Sequence, residues 1–158
     1  MVKIKKILAP TDFSELSQAG LQYALELADP QGAEVIVYHV IGDEETGLYE
    51  PGPEGWLTSP SEFRPIQELV EERKGDLANF IKDHLSNIPS QITIKQEVAV
   101  GSPFKKILEK AKDEGVDMIV MSTHGRTGVL HLLIGSVTEH VVRRATSPVL
   151  CIRPETKE

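Results

Sequence analysis

Residue types able to do chemistry gather in two short polar stretches, each directly behind an apolar run. Met118 to Met121 is apolar and breaks into Ser122-Thr123-His124-Gly125-Arg126, with Gly128 close behind and Gly135-Ser136 further on. Nine residues, 126 to 134, separate Gly125 from Gly135. Gly125 and Gly128 can take positive φ and expose backbone N–H groups. Gly135-Ser136 would open a helix, whose first N–H groups lack intrahelical partners and attract anions. Arg126 would add a charged fork suited to phosphate. The pattern fits a phosphate cradle, yet glycine spacing alone fits a strand-to-helix connector with an ordinary serine cap equally well. The second stretch is Pro10-Thr11-Asp12-Phe13-Ser14. Asp12 either supports the N-terminus of the following helix or influences a nucleotide-bound divalent ion, since hard cations favour carboxylate oxygen.

Both stretches need elements that aim them at one point. Ile4 to Ala9 reads as a buried strand stopped by Pro10, and Ser14 can cap a helix with Leu16, Ala19, Gly20, Tyr23, Ala24 and Leu27 on one face. A β-rich run from Glu34 to Val40 is the second strand. From Ile41 to Phe63, glycines and prolines predict an irregular segment that serves as lid, partner surface or mobile loop, with Trp56 as a local anchor. A long helix follows from Pro65 to about Asn87, with Ile66, Leu69, Val70, Leu77, Phe80, Ile81 and Leu85 inward. Its Glu68, Glu71, Glu72, Arg73 and Lys74 form a solvated face.

Ile92, Ile94, Val98 and Val100 mark strand three, closed by Gly101; Ser102 and Pro103 then start a helix burying Phe104, Ile107, Leu108 and Ala111. Asp117 to Met121 is strand four. Ser136 to Ala145 is the last helix, with Val137, Val141 and Val142 apolar, and Val149 to Ile152 is strand five. Strands alternating with helices predict an α/β, doubly wound, five-stranded parallel sheet with helices on both faces, in a single domain spanning 1–158. Ligands of such sheets bind beyond the carboxyl ends of the strands.

Composition narrows the partners. A net charge of −7 argues against a surface for nucleic acid or for anionic membranes. No segment approaches the roughly 20 apolar residues of a membrane span, and the apolar part of the N-terminus is too short for a signal peptide. The expected location is the cytoplasm. The single cysteine, Cys151, lies in an apolar run and reads as a small buried hydrophobe.

Taken in order, Pro10-Thr11-Asp12-Phe13-Ser14, His39-Val40, Val100-Gly101-Ser102-Pro103, Ser122 to Arg126 and Gly135-Ser136-Val137 resemble the universal stress protein family along essentially the whole chain. The resemblance implies strand order 3-2-1-4-5 and a crevice between strands one and four. It also implies binding of ATP or AMP, with or without Mg, as in the family branch carrying Gly, two residues, Gly, nine residues, then Gly-Ser or Gly-Thr. Ser122 stands at the first position here, and its hydroxyl could meet a ribose oxygen.

By the same resemblance Asp12 and the Val40 backbone hold the adenine end. Gly101 and Ser122 line the ribose, while Gly125, Arg126, Gly135, Ser136 and Val137 hold the phosphates. Pro10 and Thr11 shape the wall, and Ala9, His124, Gly128 and Thr138 complete the set. The resemblance further implies a homodimer pairing Val149 to Ile152 across subunits, consistent with the hazard of an open apolar edge.

Other constellations fall away. His39, His84, His124, His131 and His140 lack zinc-site spacing and a cysteine partner, so no metal and no catalytic residue is assigned. His39 reads as a satisfied core histidine, and His124 touches either ligand or its own loop backbone. No P-loop, dinucleotide fingerprint or nucleophile elbow is present. An adenylating enzyme would carry a glycine- and serine-rich loop after strand one, unlike Pro10-Thr11-Asp12-Phe13. Two readings remain: a nucleotide-binding stress sensor or regulator with at most slow ATP hydrolysis, and a scaffold of the same fold working through partner contacts alone.

Overall fold

A computed structural model describes residues 2–46, 65–85, 88, 91–125 and 134–155. Arg126, Gly128, His131, Trp56 and most of the irregular segment after strand two lie outside the described residues.

Strand β1 (Lys6–Pro10) is the centre of the sheet. Ile7, Leu8 and Ala9 are all fully buried, as a strand covered on both faces requires. After it come α1 (Glu15–Ala28), a 3₁₀ turn (Asp29–Gln31), β2 (Glu34–Ile41), α2 (Asp43–Thr46) and α3 (Ile66–His84). The second half of the chain adds β3 (Thr93–Val100), α4 (Pro103–Asp113), β4 (Met118–Ser122), α5 (Ser136–Arg144) and β5 (Val149–Ile152). The sheet order is β3-β2-β1-β4-β5 and every neighbouring pair is parallel. The doubly wound sheet and its 3-2-1-4-5 order are therefore as expected.

Alternation along the central strands builds two cores. Ile7, Ala9, Val35, Val37 and Val120 meet α1 and α3 through Leu21, Leu25, Leu77 and Phe80. Leu8, Ile36, Tyr38, Val40, Ile119 and Met121 meet α4 and α5 through Ile107, Ala111 and Val141. Each fully buried Leu or Ile contributes roughly 1.5–3 kcal/mol.

Several local expectations need correction. β1 begins two residues later than predicted and includes Pro10, which is in register with Tyr38. Helix α1 is rotated: its buried face is Ser17, Gly20, Leu21, Ala24, Leu25 and Ala28, while Tyr23 is 49% exposed. The cause is Gly20, where a Cβ would stand 2.7 Å from the Ser122 nitrogen and 2.9 Å from the Met121 carbonyl carbon. Small residues, not the bulkiest ones, set which face meets β4. Asp43 to Thr46 is a helical turn rather than irregular. Ile66, the first residue of α3, and Val142, one step around α5 from the buried Val141, are exposed. Ser102 stands at the N-cap of α4 without a side-chain capping bond, whereas Ser14 does cap α1 by accepting from the Ser17 N–H.

Candidate functional site

The carboxyl end of β1 turns sharply into α1, and four hydroxyl-bearing or acidic side chains, those of Thr11, Asp12, Ser14 and Ser17, fix that turn. Thr11 continues the strand by donating its N–H to the Tyr38 carbonyl at 2.9 Å. Its Oγ1 shares a 2.8 Å hydrogen bond with Ser17 Oγ and accepts the Phe13 N–H at 3.1 Å. Asp12 Oδ1 accepts from both the N–H and the hydroxyl of Ser14. Phe13 is thereby held at φ +65°, the one non-glycine residue in the left-handed region among the described residues. Asp12 supports the helix start, as one of its two expected roles has it, and also lines a cavity.

The other half of the site grows from β4. The Ser122 hydroxyl accepts the Gly20 N–H at 3.0 Å, so it is turned to α1, and the Ser122 carbonyl accepts from Thr138 Oγ1 at 2.9 Å. Thr123 donates its N–H to the Ile152 carbonyl at 2.9 Å, and its own carbonyl accepts from the Gly135 N–H at 2.6 Å. The returning chain is thus pinned under the strand end where α5 begins. Among the described residues no side chain caps α5, whose N-cap is Gly135. The unpaired N–H groups of its first turn belong to Ser136, Val137 and Thr138, all of which line the cavity.

Gly125 is not at positive φ, contrary to the expectation for a cradle glycine. Its lack of a side chain matters for space: a Cβ there would overlap Asp12 Oδ2, across the crevice. The two polar stretches are therefore in contact, one from each half of the chain.

The cavity has a volume of about 760 Å³. It gathers Pro10, Thr11, Asp12 and Val40 from the first half of the expected set. From the second half it gathers Ser122, His124, Gly125, Gly135, Ser136, Val137 and Thr138. Of the expected residues that are described, two are not on its wall. Ala9 is fully buried in the core, and Gly101, at φ +145°, lies against the Lys106 side chain. His124 is buried with Nδ1 2.9 Å from Thr123 Oγ1, a contact to its own loop.

Sequence reasoning missed an acidic wall, Asp43, Glu44 and Glu45 on α2, and an apolar floor of Tyr38, Ile107 and Met121. The floor was findable: each residue is next to, or one turn from, a strand end already chosen. The acidic wall directly follows Gly42 at the end of β2, where the strand-end rule also applies. Burial pushes the Tyr38 phenol up, only partly countered by Lys110 lying 5.9 Å over the ring, so Tyr38 is a neutral donor here.

Arg73 also departs from expectation. It is not simply solvated: its Nε donates to Glu45 Oε2 at 2.7 Å. That hydrogen bond leads the causes that hold the guanidinium even more firmly protonated than usual.

Chemically, the cavity joins an anion-attracting helix terminus, an apolar floor and a carboxylate-rich rim. Universal stress protein MJ0577 of Methanocaldococcus jannaschii is 36% identical to this chain over 96% of each. The solved structure of MJ0577 superposes with a TM-score of 0.78 at 34% identity, covering 99% of this chain and 100% of that one. A universal stress protein solved in complex with cAMP shares the fold, with a TM-score of 0.59 at 20% identity over 96% and 98% of the two chains. So does one from Archaeoglobus fulgidus in complex with dAMP, with a TM-score of 0.53 at 19% identity over 96% and 98%. The sequence pattern of the universal stress protein family matches residues 3–153. With that match running nearly end to end and a relative more than one-third identical along its length, the chain belongs to the universal stress protein family.

Proposed function

We propose that the cavity binds an adenine nucleotide, ATP or AMP, and that the protein acts as a stress-response sensor or regulator read out by the nucleotide it holds. The observation that carries this reading is the cavity between the ends of β1 and β4. Its volume of about 760 Å³ lies within the common range for ligand sites, about 300–1,000 Å³. One end offers the uncapped N–H groups of α5, which suit phosphate. The floor of Tyr38, Val40, Ile107 and Met121 suits a base. Gly125 leaves the room that a side chain would take from Asp12 and from a ligand alike. Asp12 is then placed to influence a magnesium ion accompanying the phosphates. The relatives solved with cAMP and dAMP support the same ligand class.

Calorimetry with ATP, ADP and AMP, each with and without magnesium, tests the reading. Saturable binding in the micromolar range is expected. Absence of heat with every nucleotide at millimolar ligand would replace it with the scaffold reading, in which the protein works through partner contacts. Our reading also includes a cytoplasmic location, where Cys151 stays reduced, and a homodimer through β5, the edge strand beyond β4.

A further inference from the structure

Behind the acidic wall, a line of charged groups runs from the sheet to α3. His39 is on β2, its ring against Phe13 with centroids 4.2 Å apart, and it is 2% exposed. Its Nδ1 lies 2.8 Å from the Thr11 carbonyl oxygen. A carbonyl can only accept, so Nδ1 carries a hydrogen. Its Nε2 faces Glu45 Oε1 at 3.4 Å. A neutral ring of that tautomer would set a lone pair against a carboxylate oxygen. The arrangement therefore calls for a second proton, on Nε2 or on Glu45. Arg73 Nε donates to the other oxygen of Glu45 at 2.7 Å, which favours the ionised carboxylate. Of the two positions, these contacts favour the proton on His39, whose Nε2 is at ion-pair distance from Glu45 rather than in hydrogen-bond geometry.

We propose that His39 and Arg73 are positioning residues for the cavity: as imidazolium and guanidinium they clamp Glu45, and with it the wall Asp43–Thr46, so that ligand affinity depends on the proton of His39. The proposal rests on the nucleotide reading for its ligand. Helix α2 is a single turn of four residues, too short to persist on its own hydrogen bonds. Anchoring from outside decides where its carboxylates stand.

The surroundings of His39 agree in sign. From α2, Asp43 and Glu44 add negative charge beside Glu45. From α3, Arg73 brings Glu72 and Asp76, each 2.9 Å from its Nη1, and His84 lies beyond the Phe80 ring at 4.7 Å. The turn after β1 offers the Thr11 carbonyl and the Phe13 ring, and β3 offers apolar Val98 in register. Among the described residues, carboxylates thus outnumber cations around the ring, which favours the imidazolium. When pH rises and the proton leaves, the Nε2 lone pair faces Glu45 Oε1, the His39 clamp is lost, and affinity falls.

The test combines two measurements on the intact protein. NMR titration of the His39 ring, without nucleotide, is expected to show an imidazolium at neutral pH that becomes neutral in Glu45→Gln. Calorimetry with AMP between about pH 6 and about pH 9 is expected to show roughly tenfold weakening with rising pH in the wild type. That dependence should flatten in His39→Gln, and Arg73→Ala, a partly exposed position that leaves the core intact, should weaken binding throughout. A neutral His39 at pH 7, or an unchanged pH profile in a folded His39→Gln that still binds AMP, overturns the proposal. If no variant and no wild type binds nucleotide, the ligand reading fails instead. The clamp is then judged by the NMR titration and by hydrogen exchange of the Asp43–Thr46 amides, whose protection must fall with rising pH in the wild type alone.

Discussion

A phenylalanine at φ +65° is costly, about 1–2 kcal/mol by the crowding of its Cβ against the following carbonyl. Phe13 stays there because its ring packs on His39 and edge-on against Phe80, 5.8 Å between centroids, while Thr11 Oγ1 takes its N–H. The strained residue lets Asp12 face Gly125 while its neighbours pack inward. Phe13→Ala keeps the strain and loses the ring, whereas Phe13→Gly loses the ring but relieves the strain. The glycine variant is therefore expected to be about 1 kcal/mol more stable than the alanine variant in urea denaturation, the reverse of the usual order. Equal stabilities, or alanine ahead, would show that the turn relaxes and stores no strain.

Gly135 presents a different constraint, since its φ of −73° suits any residue. A Cβ there would stand 3.1 Å from the Thr123 carbonyl oxygen. Gly135→Val is expected to cost about 1–3 kcal/mol by overpacking. It should also weaken nucleotide binding at least about tenfold, by moving the first turn of α5 away from the phosphates. Calorimetry returning wild-type affinity would remove α5 from the site.

Between elements, α1 approaches β4 closely at Gly20, where the Ser122 hydroxyl receives the helix N–H. Gly20→Ala would raise helix propensity by up to about 1 kcal/mol. The overlap with strand backbone should reverse that gain and destabilise the protein by about 1–3 kcal/mol, measured by chemical denaturation. A stabilised variant would mean that α1 slides freely on the sheet. This contact also shows why the sequence disclosed some things and hid others. Strand positions were legible because runs such as Val35 to Val40 and Val149 to Ile152 are short, apolar and bounded by turn residues. The phase of α1 was not, because apolar spacing follows large side chains and Gly20 acts by having none. Ser122 stands on the cavity wall, yet the direction of its hydroxyl depends on a helix 102 residues away in sequence. Arg73 looked like one charge among many on α3, and only the fold reveals the carboxylate of Glu45 beneath it.

Across the whole molecule, charge ties the ends of the strands opposite the cavity. Lys6 on β1 meets Glu34 and Glu114, and Lys110 on α4 meets Glu114 and Glu97. Hydrogen bonds from Lys6, then Lys110, hold the Glu114 carboxyl below its ordinary range. A carboxylate depressed in the folded state adds stability above its unfolded pKa and loses it as pH falls through the folded value. Glu114→Gln should therefore lower the melting temperature near pH 7, with the gap closing below about pH 4. A gap of the same size at both pH values would contradict this. At the far edge of the sheet β5 is half-buried with no strand on its outer side among the described residues, and the proposed homodimer would cover it. Light scattering at micromolar concentration should return a dimer mass, and a monomer mass would sink that proposal.

β1 sits between β2 and β4, so Ile7 has neighbours at Val35 and at Met118. On a ribosome the first of these is available early and the second only after Met118 has been made. Until then the central strand keeps one bare apolar edge, and the stretch that meets Asp12 has not left the exit tunnel. The walls of the cavity are therefore brought together only after Thr138 has been made, and a product truncated before residue 118 would offer chaperones and proteases an open strand edge that the folded sheet hides.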